Sequence, residues 1–96
     1  MKDILKDLDK AFENKVRLGI MSALVVNDYV DFNTLKDLLD VTDGNLASHL
    51  KSLEKSSYIN FKKEFHGRKP NTRYHATETG KRAFRKHINA IERLLN

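Results

Sequence analysis

The hydrophobic period of this chain switches from helical to strand-like between the leucines of residues 46–53 and the aromatics of residues 58–65, and that switch restricts the fold sharply. Leu46, Leu50 and Leu53 repeat at i, i+4 and i+7, which is one face of an α-helix, and Thr42 stands ahead of them as an N-cap. Tyr58, Ile59, Phe61, Lys62, Lys63, Glu64 and Phe65 then mix aromatic, β-branched and polar side chains in rough alternation, which predicts a strand. His66-Gly67-Arg68-Lys69-Pro70-Asn71 reads as a turn, and Thr72-Arg73-Tyr74-His75-Ala76 as the returning strand. A helix over residues 43–56 thus feeds into a β-hairpin whose tip, residues 66–71, is basic.

The rest of the chain is helical apart from one short segment. Ile4, Leu5, Leu8, Ala11 and Phe12 keep helical spacing, with Lys and Asp on the other face, and predict a first amphipathic helix within residues 1–13. Val16, Ile20, Met21, Leu24 and Val25 predict a second, ending at Asn27-Asp28. Tyr29-Val30-Asp31 is short and β-prone. Phe32, Leu35, Leu38 and Leu39 give a brief third helical face, with Asn33 or Thr34 as its cap and Asp37 exposed. At the far end Thr77 caps a last helix with Glu78 in its first turn. Phe84, Ile88, Ile91 and Leu95 form its seam, with His87 and Leu94 alongside.

Ninety-six residues suit one domain, 1–96, with one modest core. The order is helix, helix, short strand, helix, helix, hairpin, helix. This predicts a mainly α fold with a small β-hairpin (α+β): a winged helix-turn-helix with extra N- and C-terminal helices.

Charge narrows the partner. Residues 1–48 carry six basic and nine acidic side chains, whereas residues 49–96 carry twelve basic and four acidic, so the second half suits a polyanion. With no cysteine, disulfides and thiolate zinc sites are excluded, and the four histidines (His49, His66, His75, His87) share no ligand spacing, so no metal or other cofactor is expected. No phosphate loop, nucleophile elbow or paired catalytic carboxylates occur, and no enzymatic activity is expected. Neither a signal-peptide pattern nor an eighteen-residue apolar run is present, which points to a cytoplasmic protein without a membrane partner.

The motifs also carry a family resemblance. Val16-Arg17-Leu18-Gly19-Ile20-Met21, Phe32-Asn33-Thr34-Leu35, Val41-Thr42-Asp43-Gly44-Asn45 and Leu46-Ala47-Ser48-His49-Leu50-Lys51-Ser52-Leu53-Glu54 stand in order. Tyr58-Ile59, then Phe65-His66-Gly67-Arg68-Lys69-Pro70-Asn71-Thr72 and Thr77-Glu78-Thr79-Gly80, follow. Together, over roughly residues 14–84, they resemble the winged helix-turn-helix DNA-binding family related to the MarR and ArsR transcriptional regulators. Two positions depart from that pattern. Ser57 stands where the family has glycine, a site suited to a left-handed helix end, at a cost of about 1 kcal/mol. His75-Ala76 stands where a large aliphatic residue is usual.

With Leu46, Leu50 and Leu53 inward, helical geometry sends Gly44, Asn45, Ser48, Lys51, Ser52 and Lys55 outward, a small, polar and basic face able to meet base edges and phosphates in a major groove. His49 falls nearer the buried edge, for packing or hydrogen bonding. Arg68 and Lys69 project from the hairpin tip toward a minor groove, and Lys62, Lys63 and Arg73 on its strands suit phosphates. Ile4, Leu5, Leu8 and Phe12, with Phe84, Ile88, Ile91 and Leu95, form two apolar stripes expected to make a homodimer, which would present two recognition helices to a pseudo-palindromic duplex. Two alternatives stand beside this regulator: a winged-helix protein-protein interaction module, and a nonspecific architectural DNA-binding protein. Apart from Asp43, no carboxylate lies on the outward face of the helix, which favours nucleic acid. The sequence names no small-molecule effector.

Overall fold

Side chains that accept backbone N–H groups decide where the longer helices begin. In the computed structural model, which describes residues 1–96, Asn14 Oδ1 accepts from Val16 and Arg17 at the start of α2 (Lys15–Val25), α1 being the single turn Lys2–Leu5. Asp31 caps α3 (Phe32–Leu39) through the Thr34 N–H, Thr42 caps α4 (Asp43–Lys55) through Asn45, and Thr77 caps α5 (Glu78–Leu94) through Gly80. Each such cap contributes about 1 kcal/mol. The Thr42 and Thr77 caps agree with the sequence reading. The α3 cap does not: Asp31 takes the role expected of Asn33 or Thr34, because the short strand β1 (Val30–Asp31) passes into α3 with no loop between.

The single helix expected within residues 1–13 is broken. After α1 the chain makes only a 3-10 turn at Lys10–Phe12. Asp9 causes the break. Its backbone is extended, its carboxylate accepts from Ala11 N–H (2.9 Å) and from the Tyr58 hydroxyl (2.5 Å), and its own N–H donates to His87 Nδ1 (2.9 Å). The hydrogen bond to Asp9, with burial, pushes the Tyr58 phenol up to about 12, so it stays a donor at neutral pH.

The sheet has the order β1-β3-β2, with β2 (Ile59–His66) antiparallel to β3 (Lys69–Ala76) from Ile59↔Ala76 out to His66↔Lys69. The strands run closer to the tip than the sequence suggests, and the turn is only Gly67-Arg68 rather than residues 66–71. Gly67 supplies the positive φ (67°) that a tight hairpin turn needs at its first central position. Pro70 therefore lies in a strand. β1 pairs with β3 only at Tyr74 and Arg73, so at Pro70 no neighbour on that side misses an N–H.

The core lies around α2, whose Val16, Ile20, Met21 and Leu24 meet Leu35 of α3, Leu46, Leu50 and Leu53 of α4, Ile59, Tyr74 and Ala76 of the hairpin, and Phe84 of α5. Phe12 and Phe84, expected among the dimer stripes, belong to this core at 2% and 8% exposure. Their rings meet edge to face at 5.2 Å, and Phe12 also stacks on Tyr58 at 5.4 Å. Leu38, expected on the inner face of α3, is exposed instead. No helix is long and apolar enough to cross a membrane.

Ser57 adopts the left-handed conformation (φ 62°) that suits glycine, as its place at the end of α4 predicts. Its carbonyl accepts from Thr77 Oγ1 (2.6 Å), and the next carbonyl, Tyr58, accepts from Thr77 N–H (3.0 Å). This draws the start of α5 so near the start of β2 that a Cβ on Gly80 would collide with the Tyr58 carbonyl. Backbone meets backbone there, and neither can yield locally. Gly80→Ala is therefore expected to lower the unfolding free energy by about 3 kcal/mol, read by urea denaturation. A loss within about 0.5 kcal/mol would mean that this junction is not tightly held.

Candidate nucleic-acid interface

The turn between α3 and α4 is only Asp40-Val41-Thr42. Asp40 closes α3 in the left-handed region (φ 50°, ψ 57°), and Thr42 opens α4. Leu46, Leu50 and Leu53 are buried, and this alone turns Gly44, Asn45, Ser48, Lys51, Ser52 and Lys55 outward, all six exposed as expected. A Cβ on Gly44 would meet nothing in the domain within 4 Å, so the fold itself does not require glycine there.

Asp43, the acid at the start of this face, is paired. Lys36 Nζ lies 2.8 Å from Asp43 Oδ1, and that hydrogen bond raises the lysine above its ordinary value. Glu54 is half-buried and adds to the burial that raises the Tyr74 phenol. His49 has the hydrogen-bonding role expected of it: Nδ1 is 3.2 Å from Arg17 Nη1, while Arg17 Nε donates to the Ala11 carbonyl at 2.7 Å. Burial, and then the Arg17 charge, lowers the His49 imidazole below its ordinary value, leaving it neutral at pH 7. Beside it a recess of about 500 Å³ is lined by Asn14, Lys15, Asn45, His49 and the α3–α4 turn. Lys15 is an exposed cation next to α4 that the sequence reading misses, because only the packing of α2 on α4 brings it there.

On the hairpin, the register puts Lys62 and Arg73 on one face and Lys63 and Thr72 on the other, so Lys62 and Lys63 point in opposite directions. Arg73 is already engaged within the molecule. Its Nε lies 3.6 Å from Glu64 Oε1, and its guanidinium sits 4.2 Å above the Tyr29 ring. Arg68 and Lys69 are exposed at the turn.

The terminal stripes divide between the core and the surface. Phe12 and Phe84 are internal; Ile4, Leu8, Ile88 and Ile91 are half-buried; Leu5 and Leu95 are exposed, Leu95 at 83%. The N-terminal segment packs on α5 of its own chain, where Arg93 Nη2 donates to Asp7 Oδ2 (2.5 Å) and Lys86 Nζ lies 3.8 Å from the other oxygen. The Arg93 hydrogen bond holds the Asp7 carboxyl below its ordinary value. No group of three or more His, Asp or Glu side chains converges as a metal site.

A family model for a winged helix DNA-binding domain matches residues 16–95. An uncharacterised protein of Methanocaldococcus jannaschii is 38% identical over 85 residues, spanning 88% of this chain and 92% of its own. The solved structure of a transcriptional regulator homologue protein from Pyrococcus horikoshii OT3 is 30% identical and superposes with a TM-score of 0.86, covering 98% of this chain and 91% of that one. The putative transcriptional regulator ytfH from Salmonella typhimurium, 21% identical with a TM-score of 0.75 over 90% of this chain and 76% of its own, shares the fold. The chain belongs to the winged helix DNA-binding domain family, as the resemblance carried by its motifs implies.

Proposed function

We propose that this protein is a cytoplasmic transcriptional regulator that binds duplex DNA as a homodimer, with α4 in the major groove and the Gly67-Arg68 turn at the minor groove. It is a regulator rather than an enzyme, as its family and solved relatives are. One observation carries the reading: the outward face of α4 is small, polar and cationic, and it lies beside a hairpin with exposed Arg68 and Lys69. Asn45 and Ser48 are the base-reading side chains, and Lys51, Lys55 and Lys15 the phosphate-binding ones. Ser52, Lys62, Lys63 and Lys69 add to the polar and cationic contact. Arg73 acts indirectly, bracing the hairpin through Glu64 and Tyr29.

The dimer rests on apolar surface that the domain leaves uncovered, Leu5 and Leu95, edged by the half-buried Ile4, Leu8, Ile88 and Ile91. Pairing these across a two-fold axis would set two α4 helices one turn of DNA apart, about 34 Å. Selection of duplexes from a random pool at near-physiological salt tests specificity. A pseudo-palindromic consensus is expected, and equal recovery of all sequences would favour the architectural alternative.

Affinity should fall steeply with salt. Five contacts such as Lys51, Lys55, Lys63, Arg68 and Lys69 would give a log-log slope of about −4.5 per protomer, and a flat dependence or no binding at low salt would reject the DNA reading. Gly44→Ala should leave stability unchanged or raise it by up to about 1 kcal/mol, since the helix gains propensity and meets no obstacle. DNA affinity should nevertheless drop, because the added methyl stands where the duplex backbone approaches. Unchanged affinity would take the start of α4 out of the interface. Ile91→Glu with Leu95→Glu should give a folded monomer with much weaker DNA binding, measured by light scattering and anisotropy. A variant that stayed dimeric would exclude this surface. Ile88 is left intact because it packs against the core.

A further inference from the structure

Phe65 has no place in the DNA reading so far, and nothing in the domain covers it. It is 71% exposed, its cross-strand partner is the exposed Pro70, and both sit one register step from the turn. Their face of the hairpin begins in the core with Ile59 and Ala76 and continues with Phe61 and Tyr74, whose centroids are 6.0 Å apart at the edge of the body. Phe65 and Pro70 lie four residues further along, about 13 Å at the rise of a strand, with no core beneath them. The surroundings are cationic: Lys63 on the same face, Arg68 in the turn, and Lys69 next to Pro70, all exposed. The hairpin's one carboxylate, Glu64, is on the opposite face between Arg73 and His66, each 3.6 Å away. An apolar pair on a narrow ribbon, rimmed by cations and clear of carboxylates, fits a partner with a polyanionic edge and a stacked apolar interior.

We infer that Phe65, backed by Pro70, is a wedge that enters the minor groove of the bound duplex and opens a base step, bending the DNA away from the hairpin. This rests on the DNA reading above. It extends that reading by giving the protein a preference for easily unstacked pyrimidine–purine steps where the hairpin lands, independent of base contacts by α4. One phenylalanine and one proline are too small an apolar surface to hold a membrane, and the position beside α4 favours the same duplex as the occupant.

The test uses the full protein and duplexes carrying 2-aminopurine at successive TA and CA steps, with donor and acceptor dyes at the two ends. Wild type should raise the 2-aminopurine emission at one step near each hairpin of the dimer and shorten the end-to-end distance. Phe65→Ser should abolish both signals while DNA affinity falls by about tenfold or less, because the cations remain. Phe65→Leu should keep both. Arg68→Ala should weaken binding yet keep both signals at saturating protein. Melting curves of the Phe65 variants should match wild type, since the side chain is outside the core. If wild type binds no duplex, the DNA reading fails and the wedge with it. If it binds without either signal, or if Phe65→Ser retains both, the wedge alone is wrong. A change of oligomeric state in Phe65→Ser with the bend intact would assign Phe65 to a contact between copies and overturn the inference.

Discussion

The Tyr58 carbonyl accepts the N–H of Thr77 while its hydroxyl donates to Asp9 and its ring stacks on Phe12, so the residue in the link between α4 and the hairpin also anchors both terminal segments. The direction in which the hairpin leaves the body is set here. Ser57, one residue earlier, turns the chain through the left-handed region, and the absence of a side chain at Gly80 lets α5 start against the same carbonyl. A hairpin alone is marginal in water. It projects at a defined angle to α4 because its root is tied into the core at this junction.

The features legible in the sequence are those decided locally or by one strong pattern. Thr42 and Thr77 cap the helices they precede, and three leucines fix which side of α4 faces out. Ser57 in the left-handed region follows from its place at a helix end. What the sequence hides depends on partners far along the chain. The Asp9 carboxylate and N–H bind residues 49 and 78 positions away, so nothing local marks the break in the first helix. Pro70 suggests a long loop because proline and strand seem incompatible, and only the shortness of β1 makes that position permissive. Lys15 beside α4, and Arg73 held by Glu64 and Tyr29, are products of packing. The apolar seam of α5 is visible as a seam, but periodicity does not tell that Phe84 belongs to the core and Leu95 to the surface.

Charge is arranged by pairing as well as by number. Asp43 is matched by Lys36, Glu64 by Arg73, and Asp7 by Arg93 and Lys86. Exposed pairs of this kind contribute little to stability. Their effect is on the local field: acids that would repel a phosphate near α4 or on the hairpin are partly neutralised, while Lys51, Lys55, Arg68 and Lys69 remain turned to solvent.

The two-residue β1 has a consequence for solubility. It covers β3 only at Tyr74 and Arg73 and leaves the outer half of that strand open on one side, while β2 is open along its whole length. Open strands of this kind recruit strands from other molecules and seed aggregates. Here Pro70 removes a donor from the uncovered half of β3, and adjacent Lys62 and Lys63 put charge along β2. The same short stretch that carries the cations of the hairpin thus also discourages copies of the chain from joining edge to edge.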